Sequence, residues 1–163
     1  MIRQAKEFNI RRMALLGNHV PRQCGIATFT SDLNDAIRSE FPNLDCFVVA
    51  MNDGGRQYAY PPTVRFEIAE AELPVYVRAA DYLNVNEVEI LCVQHEYGIF
   101  GGKAGSHVLA LLRELRMPMI FVASSPSEGW PSITLDSTWM ACSPIILCTP
   151  SEVTFRIQDH SPW

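Results

Sequence analysis

The sequence predicts an α/β domain with a mainly parallel sheet and helices on both of its faces. Short apolar runs alternate with segments of helical apolar spacing along nearly the whole chain. Residues 88–93 (VEILCV) form the clearest strand, a continuous apolar run typical of parallel strands covered on both sides. The chain has 163 residues, of which 48% are hydrophobic and 19% charged, so it can bury a core of ordinary size.

In the first half, apolar runs bounded by turn residues predict three strands. Residues 12–17 end at a glycine, and residues 45–51 run into the turn sequence Asn52-Asp53-Gly54-Gly55. A third strand, 64–68, follows a loop at 58–62 that contains tyrosines and paired prolines. Between the first two strands, apolar residues at 26, 29, 33, 36 and 37 predict a helix over 26–37.

The second half continues the alternation. A helix is predicted over 73–83, with Val77, Ala80 and Leu83 on one side. The remaining predicted elements are the strand 88–93, a helix at 106–115, a strand at 119–123, a helix at 133–141 and a strand at 145–148. Because ligands bind beyond the carboxyl ends of parallel strands, the candidate functional loops are 17–25, 52–56, 94–105 and 124–132.

Charge and cysteine usage limit the classes of function. A net charge of -5 gives no reason to expect nucleic acid as a partner. The basic start does not resemble a signal peptide, and no apolar run approaches the roughly 20 residues of a membrane span. The five cysteines are an odd set without CxxC spacing, which favours reduced thiols and a cytoplasmic location.

The loop after the first predicted strand could bind an anion. Gly25 allows a ligand to approach the backbone, and the first N–H groups of the following helix attract negative charge. Arg22 could add a charged hydrogen bond. The loop lacks the GxGxxG pattern of dinucleotide-binding proteins. The alternative is an ordinary turn in which Gly25 serves packing.

The loop after the strand 88–93 begins with Gln94, His95 and Glu96. His95 could bind a sugar hydroxyl near neutral pH, and Glu96 could orient the imidazole or bind a hydroxyl itself. Glycines at 98, 101, 102 and 105 would allow a tight, mobile path around a ligand. The alternative is a structural histidine beside a glycine-rich surface loop.

The third loop carries Glu128 and Asp136, with seven residues between them. Each carboxylate could accept hydrogen bonds from neighbouring hydroxyls of a sugar or ribose. The alternative is a Ser/Pro loop in which Ser132 or Thr134 caps a helix.

Three stretches together resemble the amino-terminal domain of glycosyltransferase family 4. They are PRQCGIATFTSDLNDAI (21–37), YPPTVRFEI (60–68) and QHEYGIFGGKAGSHVLALLRELRMP (94–118). Residues 121–153 resemble the donor-binding segment of the family's carboxyl-terminal domain, which has two glutamates separated by seven residues. The resemblance implies Rossmann-like domains and transfer of a hexosyl group from a nucleotide-diphosphate sugar to an acceptor with retention of configuration. It also implies that no metal or other cofactor is needed.

The resemblance also assigns roles. His95 and Glu128 would lie beside the transferred sugar as the catalytic residues. The implied donor-binding residues are Arg22, Gly25, Ile26, Glu96, Gly129, Trp130 and Asp136. Gly25 and its neighbours would meet the donor phosphates, Gly129 and Trp130 would contact the sugar through their backbones, and Asp136 would hold the nucleotide ribose.

The sequence also departs from the family pattern. Asp136 stands where a glutamate is usual, and Ser143 replaces a glycine. The resemblance passes at about residue 119 directly to late second-domain sequence, without the Arg and Lys that stabilise the departing diphosphate. We therefore expect 1–119 to be an acceptor-side domain and 120–163 a remnant of the donor domain, packed on the same sheet or partly mobile. Such a shortened protein would be weakly active or inactive.

Two alternatives to an enzyme follow from this departure. One is a non-catalytic module that binds nucleotide sugars. The other is an interaction protein that self-associates through the surface that a second domain would otherwise cover.

Overall fold

The computed structural model describes residues 10–96, 98–123 and 145–148. Its strands are β1 (Arg12–Gly17), β2 (Asp45–Asn52), β3 (Val64–Ala69), β4 (Ile90–His95), β5 (Met119–Ala123) and β6 (Ile145–Cys148). The helices are α1 (Gly25–Glu40), α2 (Leu73–Val85) and α3 (Val108–Glu114), with a 3-10 turn at Lys103–Gly105. The predicted helix 133–141 lies outside the described residues.

The strands form one sheet in the order β3-β2-β1-β4-β5-β6. Neighbours among β1 to β5 are parallel, and β6 runs antiparallel to β5, with Ile120 opposite Leu147. The predicted α/β, Rossmann-like fold with a mainly parallel sheet is confirmed. Residues 145–148 thus pack on the same sheet as 119–123, as one of the two arrangements expected for 120–163 requires.

Helices cover both faces of the sheet. On one face, α1 contributes Leu33 and Ile37 to a cluster around Leu15, Val48 and Cys92. The other face packs against α2 and α3 in a larger cluster, whose central strand residues include Leu16, Phe47, Val49, Leu91 and Val93. Successive strand residues thus enter opposite clusters, as the two-residue period of a strand requires.

Two details of the prediction are wrong. Val77 is 39% exposed, whereas α2 buries Val75, Tyr76, Ala79, Ala80 and Leu83. Val77 lies about 100° round the helix from Tyr76 and falls outside the stripe that the buried residues form. Strand β4 begins at Ile90 and not at residue 88, because the Val88 N–H donates to the Leu83 carbonyl at 3.1 Å and closes α2.

The reversal of strand order lies between β1 and β4. Beyond β1 the chain passes to α1 on one face, and beyond β4 it passes to α3 on the other face. The two connections therefore diverge, and in open α/β sheets we expect such a divergence to form the ligand-binding crevice at the carboxyl edge of the sheet.

Candidate functional site

The floor of this crevice is formed by the ends of β1 and β4. Leu16 of β1 lies opposite Val93 of β4, so the next residues, Gly17 and Gln94, stand side by side. A Cβ on Gly17 would lie 3.2 Å from the Gln94 side chain and 3.3 Å from Oγ1 of Thr30. A side chain at position 17 would therefore be tightly packed against these two neighbours, which favours glycine.

Thr30 of α1 packs against Gly17 and Gln94 at the ends of β1 and β4. Its hydroxyl donates to the Ile26 carbonyl oxygen at 2.8 Å and also contacts Oε1 of Gln94. Thr30 is fully buried and Gln94 is 1% exposed. Nε2 of Gln94 has no hydrogen-bond partner among the described residues.

The predicted anion-binding residues lie at the start of α1. The helix begins at Gly25, and no side chain of the described residues caps it. Among these residues, no atom lies within 4 Å of the place a Cβ on Gly25 would take, so packing against them does not require glycine here. Ile26 is 8% exposed, so its side chain belongs to the core and only its backbone can meet a ligand.

Arg22 is held by the loops on the β2 side of the crevice. Its Nη1 donates to Oδ1 of Asn18 at 3.1 Å, and its Nη2 lies 3.8 Å from Oδ2 of Asp53. The Tyr58 hydroxyl donates to Oδ1 of Asp53 at 2.7 Å. This hydrogen bond, with the Arg22 charge, lowers the pKa of Asp53, so the carboxylate stays ionised opposite Arg22.

A second polar chain, not predicted from the sequence, extends this network to β3. The Tyr60 hydroxyl donates to Oδ1 of Asn52 at 2.7 Å, and Nδ2 of Asn52 donates to Oε2 of Glu67 at 2.7 Å. Burial, together with the Glu67 charge, raises the pKa of Tyr60, so it stays protonated. The sequence signal was two tyrosines just after a strand that ends in Asn-Asp, and only the fold reveals their partners.

His19 was also missed. It is 2% exposed, its Nδ1 lies 2.7 Å from the Val20 carbonyl oxygen, and its ring meets Tyr60 edge-on at 6.2 Å. These contacts hold the β1–α1 loop against the tyrosine loop. The β2 side of the crevice is thus filled by the protein's own polar groups.

On the β4 side, His95 is the last residue of its strand. Its imidazole lies 5.7 Å from the Phe100 ring, and burial lowers its pKa. The ring is therefore neutral at pH 7 and can both donate and accept a hydrogen bond. Glu96 follows as an exposed residue whose carbonyl oxygen accepts from the Ile99 N–H at 3.5 Å.

Within the glycine-rich loop, Gly101 packs closely against Glu70 and Tyr76. A Cβ on Gly101 would lie 1.8 Å from the Glu70 carbonyl oxygen, and the Gly101 N–H donates to the Tyr76 hydroxyl at 3.0 Å. His107 also contacts the Glu70 carbonyl, at 3.2 Å. Close approach to Glu70 thus accounts for glycine at position 101, whereas Gly98 has a φ of +85° and no described atom within 4 Å of an added Cβ.

The remaining predicted site residues, Glu128, Gly129, Trp130 and Asp136, lie outside the described residues. Strand β5 leads towards them, beside β4. Within 10–96 and 98–123, no three His, Cys, Asp or Glu side chains are grouped as a metal site requires. The expectation that catalysis needs no metal stays a prediction.

Among the described side chains, the cysteines Cys24, Cys46 and Cys92 are free thiols. Burial raises the pKa of both Cys46 and Cys92 to about 11. These two thiols are protonated at neutral pH and cannot act as nucleophiles. In the same part of the chain, no helix has the length and apolar character needed to cross a bilayer.

The geometry brings together the two loops that the sequence singled out after β1 and β4, with Gly25 on one side and His95 on the other. Comparison with protein-family models, curated proteins and solved structures finds no match to this chain. The assignment to a family therefore rests on the sequence resemblance.

Proposed function

We propose that this chain binds a nucleotide-diphosphate sugar in the crevice between the start of α1 and the end of β4. The observation that carries the proposal is the adjacency of β1 and β4 at the reversal of strand order. This adjacency gives the loop before Gly25 and the loop after His95 a common crevice. The sequence stretches that resemble glycosyltransferase family 4 include both loops.

The chemistry of the two sides suits the two ends of such a ligand. The start of α1 at Gly25, which no side chain of the described residues caps, offers backbone N–H groups to a diphosphate. A neutral His95 suits a sugar hydroxyl, because an imidazole can both donate and accept. In this proposal Glu128, Gly129 and Trp130 would complete the sugar site, and Asp136 the ribose site.

Transfer of the hexosyl group would be weak or absent. Departure of a nucleoside diphosphate needs positive charge at the leaving oxygens. The family's Arg and Lys for this purpose have no counterpart in the sequence, and Arg22 already faces Asp53 at 3.8 Å. The chain would thus be a glycosyltransferase-like binding domain. A cytoplasmic location is part of the proposal, supported by the free thiols of Cys24, Cys46 and Cys92.

Titration calorimetry of the whole chain tests this proposal. UDP-glucose, UDP-N-acetylglucosamine and GDP-mannose are titrated separately, and NAD serves as the control because the loop lacks GxGxxG. We expect one of the sugar nucleotides to bind and NAD not to bind. Chromatography of the same mixtures after incubation measures release of nucleoside diphosphate, which we expect to be slow or absent. Failure of all three sugar nucleotides to bind would refute the proposal.

A further inference from the structure

A buried polar contact connects the start of α1 to the end of β4. The Thr30 hydroxyl donates to the carbonyl oxygen of Ile26, in the first turn of α1, at 2.8 Å. The same hydroxyl contacts Oε1 of Gln94, the residue before His95. One side chain therefore joins the helix start that would meet the diphosphate to the strand end that carries the imidazole.

The contact is shielded from water and closely packed. Thr30 is fully buried, Gln94 is 1% exposed, and Gly17 leaves no free space beside them, since a Cβ there would lie 3.2 Å from Gln94. Hydrogen bonds are electrostatically stronger in such a low-dielectric environment. A shift of α1 along β4 would have to break this contact.

Stability alone does not account for these residue types. A valine has nearly the shape of threonine, and a methionine nearly that of glutamine. Apolar residues at both positions would fill the same space without burying polar atoms. The polar pair adds a directional contact between α1 and β4, which an apolar pair would lack.

We infer that Thr30 and Gln94 are positioning residues for the proposed ligand site. They set the position of the first turn of α1, at Gly25 and Ile26, relative to His95. Neither side chain touches the ligand, because both are buried beneath the crevice. The inference rests on the proposed function for its effect on binding, whereas the tether itself can be measured without a ligand.

The experiment uses the whole chain and a matched pair of substitutions. Thr30→Val removes the hydroxyl at the tether. Thr28→Val is the control, because the Thr28 hydroxyl also faces a carbonyl four residues earlier, that of Cys24 at 3.5 Å, but Thr28 is exposed. Thr30→Ser keeps the hydroxyl and should restore the wild-type behaviour. Gln94→Met removes the contact from the strand side and replaces Thr30→Val if that variant does not fold.

Two readouts separate positioning from general stability. Amide hydrogen exchange over residues 28–31, whose N–H groups are bonded within α1, should become about tenfold faster in Thr30→Val, while exchange in β1 and β4 stays as in wild type. The Kd for the sugar nucleotide that wild type binds should rise about tenfold in Thr30→Val and stay unchanged in Thr28→Val and Thr30→Ser. Equal exchange in the Thr30→Val and Thr28→Val proteins, or uniformly faster exchange throughout the fold, would overturn the inference.

The two proposals fail in different ways. If wild type binds no sugar nucleotide, the proposed function is refuted, and the exchange measurement still decides whether the tether exists. If wild type binds and Thr30→Val speeds exchange over residues 28–31 without changing the Kd, the proposed function stands and the positioning role is refuted.

Discussion

The ring centroids of His95 and Phe100 lie 5.7 Å apart, and the two ring planes are inclined at 44°. This side chain ends the strand next to β1, and burial lowers its pKa below the ordinary value of 6.5. A buried neutral histidine at a strand end can serve either a ligand or the fold. The pH dependence of folding stability therefore tests whether His95 is buried and neutral.

Folding stability should depend on His95 in mildly acidic solution. Below pH 6.5 His95 becomes protonated in the unfolded chain but stays neutral in the folded protein. The free energy of unfolding therefore falls as pH falls towards the lowered pKa. The slope for one such group is at most about 1.4 kcal/mol per pH unit. Urea unfolding of wild type and His95→Gln between pH 8 and pH 5 measures the difference. Parallel curves for the two proteins would contradict the assignment.

Gly25→Ala should weaken ligand binding without weakening the fold. The new methyl group would have no described atom within 4 Å, so the free energy of unfolding should change by less than about 0.5 kcal/mol. A diphosphate on the helix start would meet that methyl group. We expect the Kd for the bound sugar nucleotide to rise about tenfold, equivalent to about 1.4 kcal/mol. An unchanged Kd in calorimetry would place the ligand elsewhere.

Gly17→Ala should have the opposite profile. Its Cβ would lie 3.2 Å from Gln94 and 3.3 Å from the Thr30 hydroxyl, so buried groups must move. Overpacking of this kind costs about 1–3 kcal/mol. Thermal and urea unfolding beside Gly25→Ala provide the comparison. A Gly17→Ala protein as stable as Gly25→Ala would show that β1 and β4 are less closely packed here than described.

Tyr58→Phe should alter the titration of Asp53. The Tyr58 hydroxyl is the main cause of the lowered pKa of Asp53, so its removal should raise that pKa towards 3.8. We expect a loss of about 0.5–1.5 kcal/mol at neutral pH. The loss should shrink as pH falls through the lowered pKa of Asp53, because the stabilisation requires the ionised carboxylate. NMR titration of the Asp53 carboxyl carbon and urea unfolding measure both effects.

Tyr60→Phe is the matched control for this prediction. The Tyr60 hydroxyl donates to the neutral amide oxygen of Asn52 at 2.7 Å. Its removal should cost a similar amount, but the pKa of Asp53 should stay lowered by Tyr58. If both variants shift the Asp53 titration equally, the specific hydrogen bond is not its cause.

Local patterns were sufficient to predict the elements of this fold. The apolar run at 12–17 and the spacing of Ile26, Leu33 and Ile37 predicted β1 and α1, because the periods of two and 3.6 residues appear directly in the sequence. The prediction went wrong at Val77 and Val88. An apolar side chain shows a preference for burial, but it does not show which side of a helix is buried or where a turn uses the backbone.

The candidate site could be predicted only as separate loops. The sequence singled out Arg22, Gly25 and His95, but it did not predict that Arg22 would face Asp53 or that Gly101 would pack on Glu70. Tyr58 and Tyr60 were predicted only as parts of a loop. Such pairings depend on strand order and register, which local sequence patterns do not contain.

The sequence by itself determined the order of strands and helices, the residue types that follow each strand, and the resemblance to a glycosyltransferase family. Tertiary structure decided that β1 lies beside β4, that Gln94 is buried against Gly17 and Thr30, and that burial keeps His95 neutral. The physical reason is one of range. Apolar periodicity and turn preferences act over a few neighbouring residues, whereas packing, desolvation and hydrogen bonds between distant segments exist only once the sheet has formed.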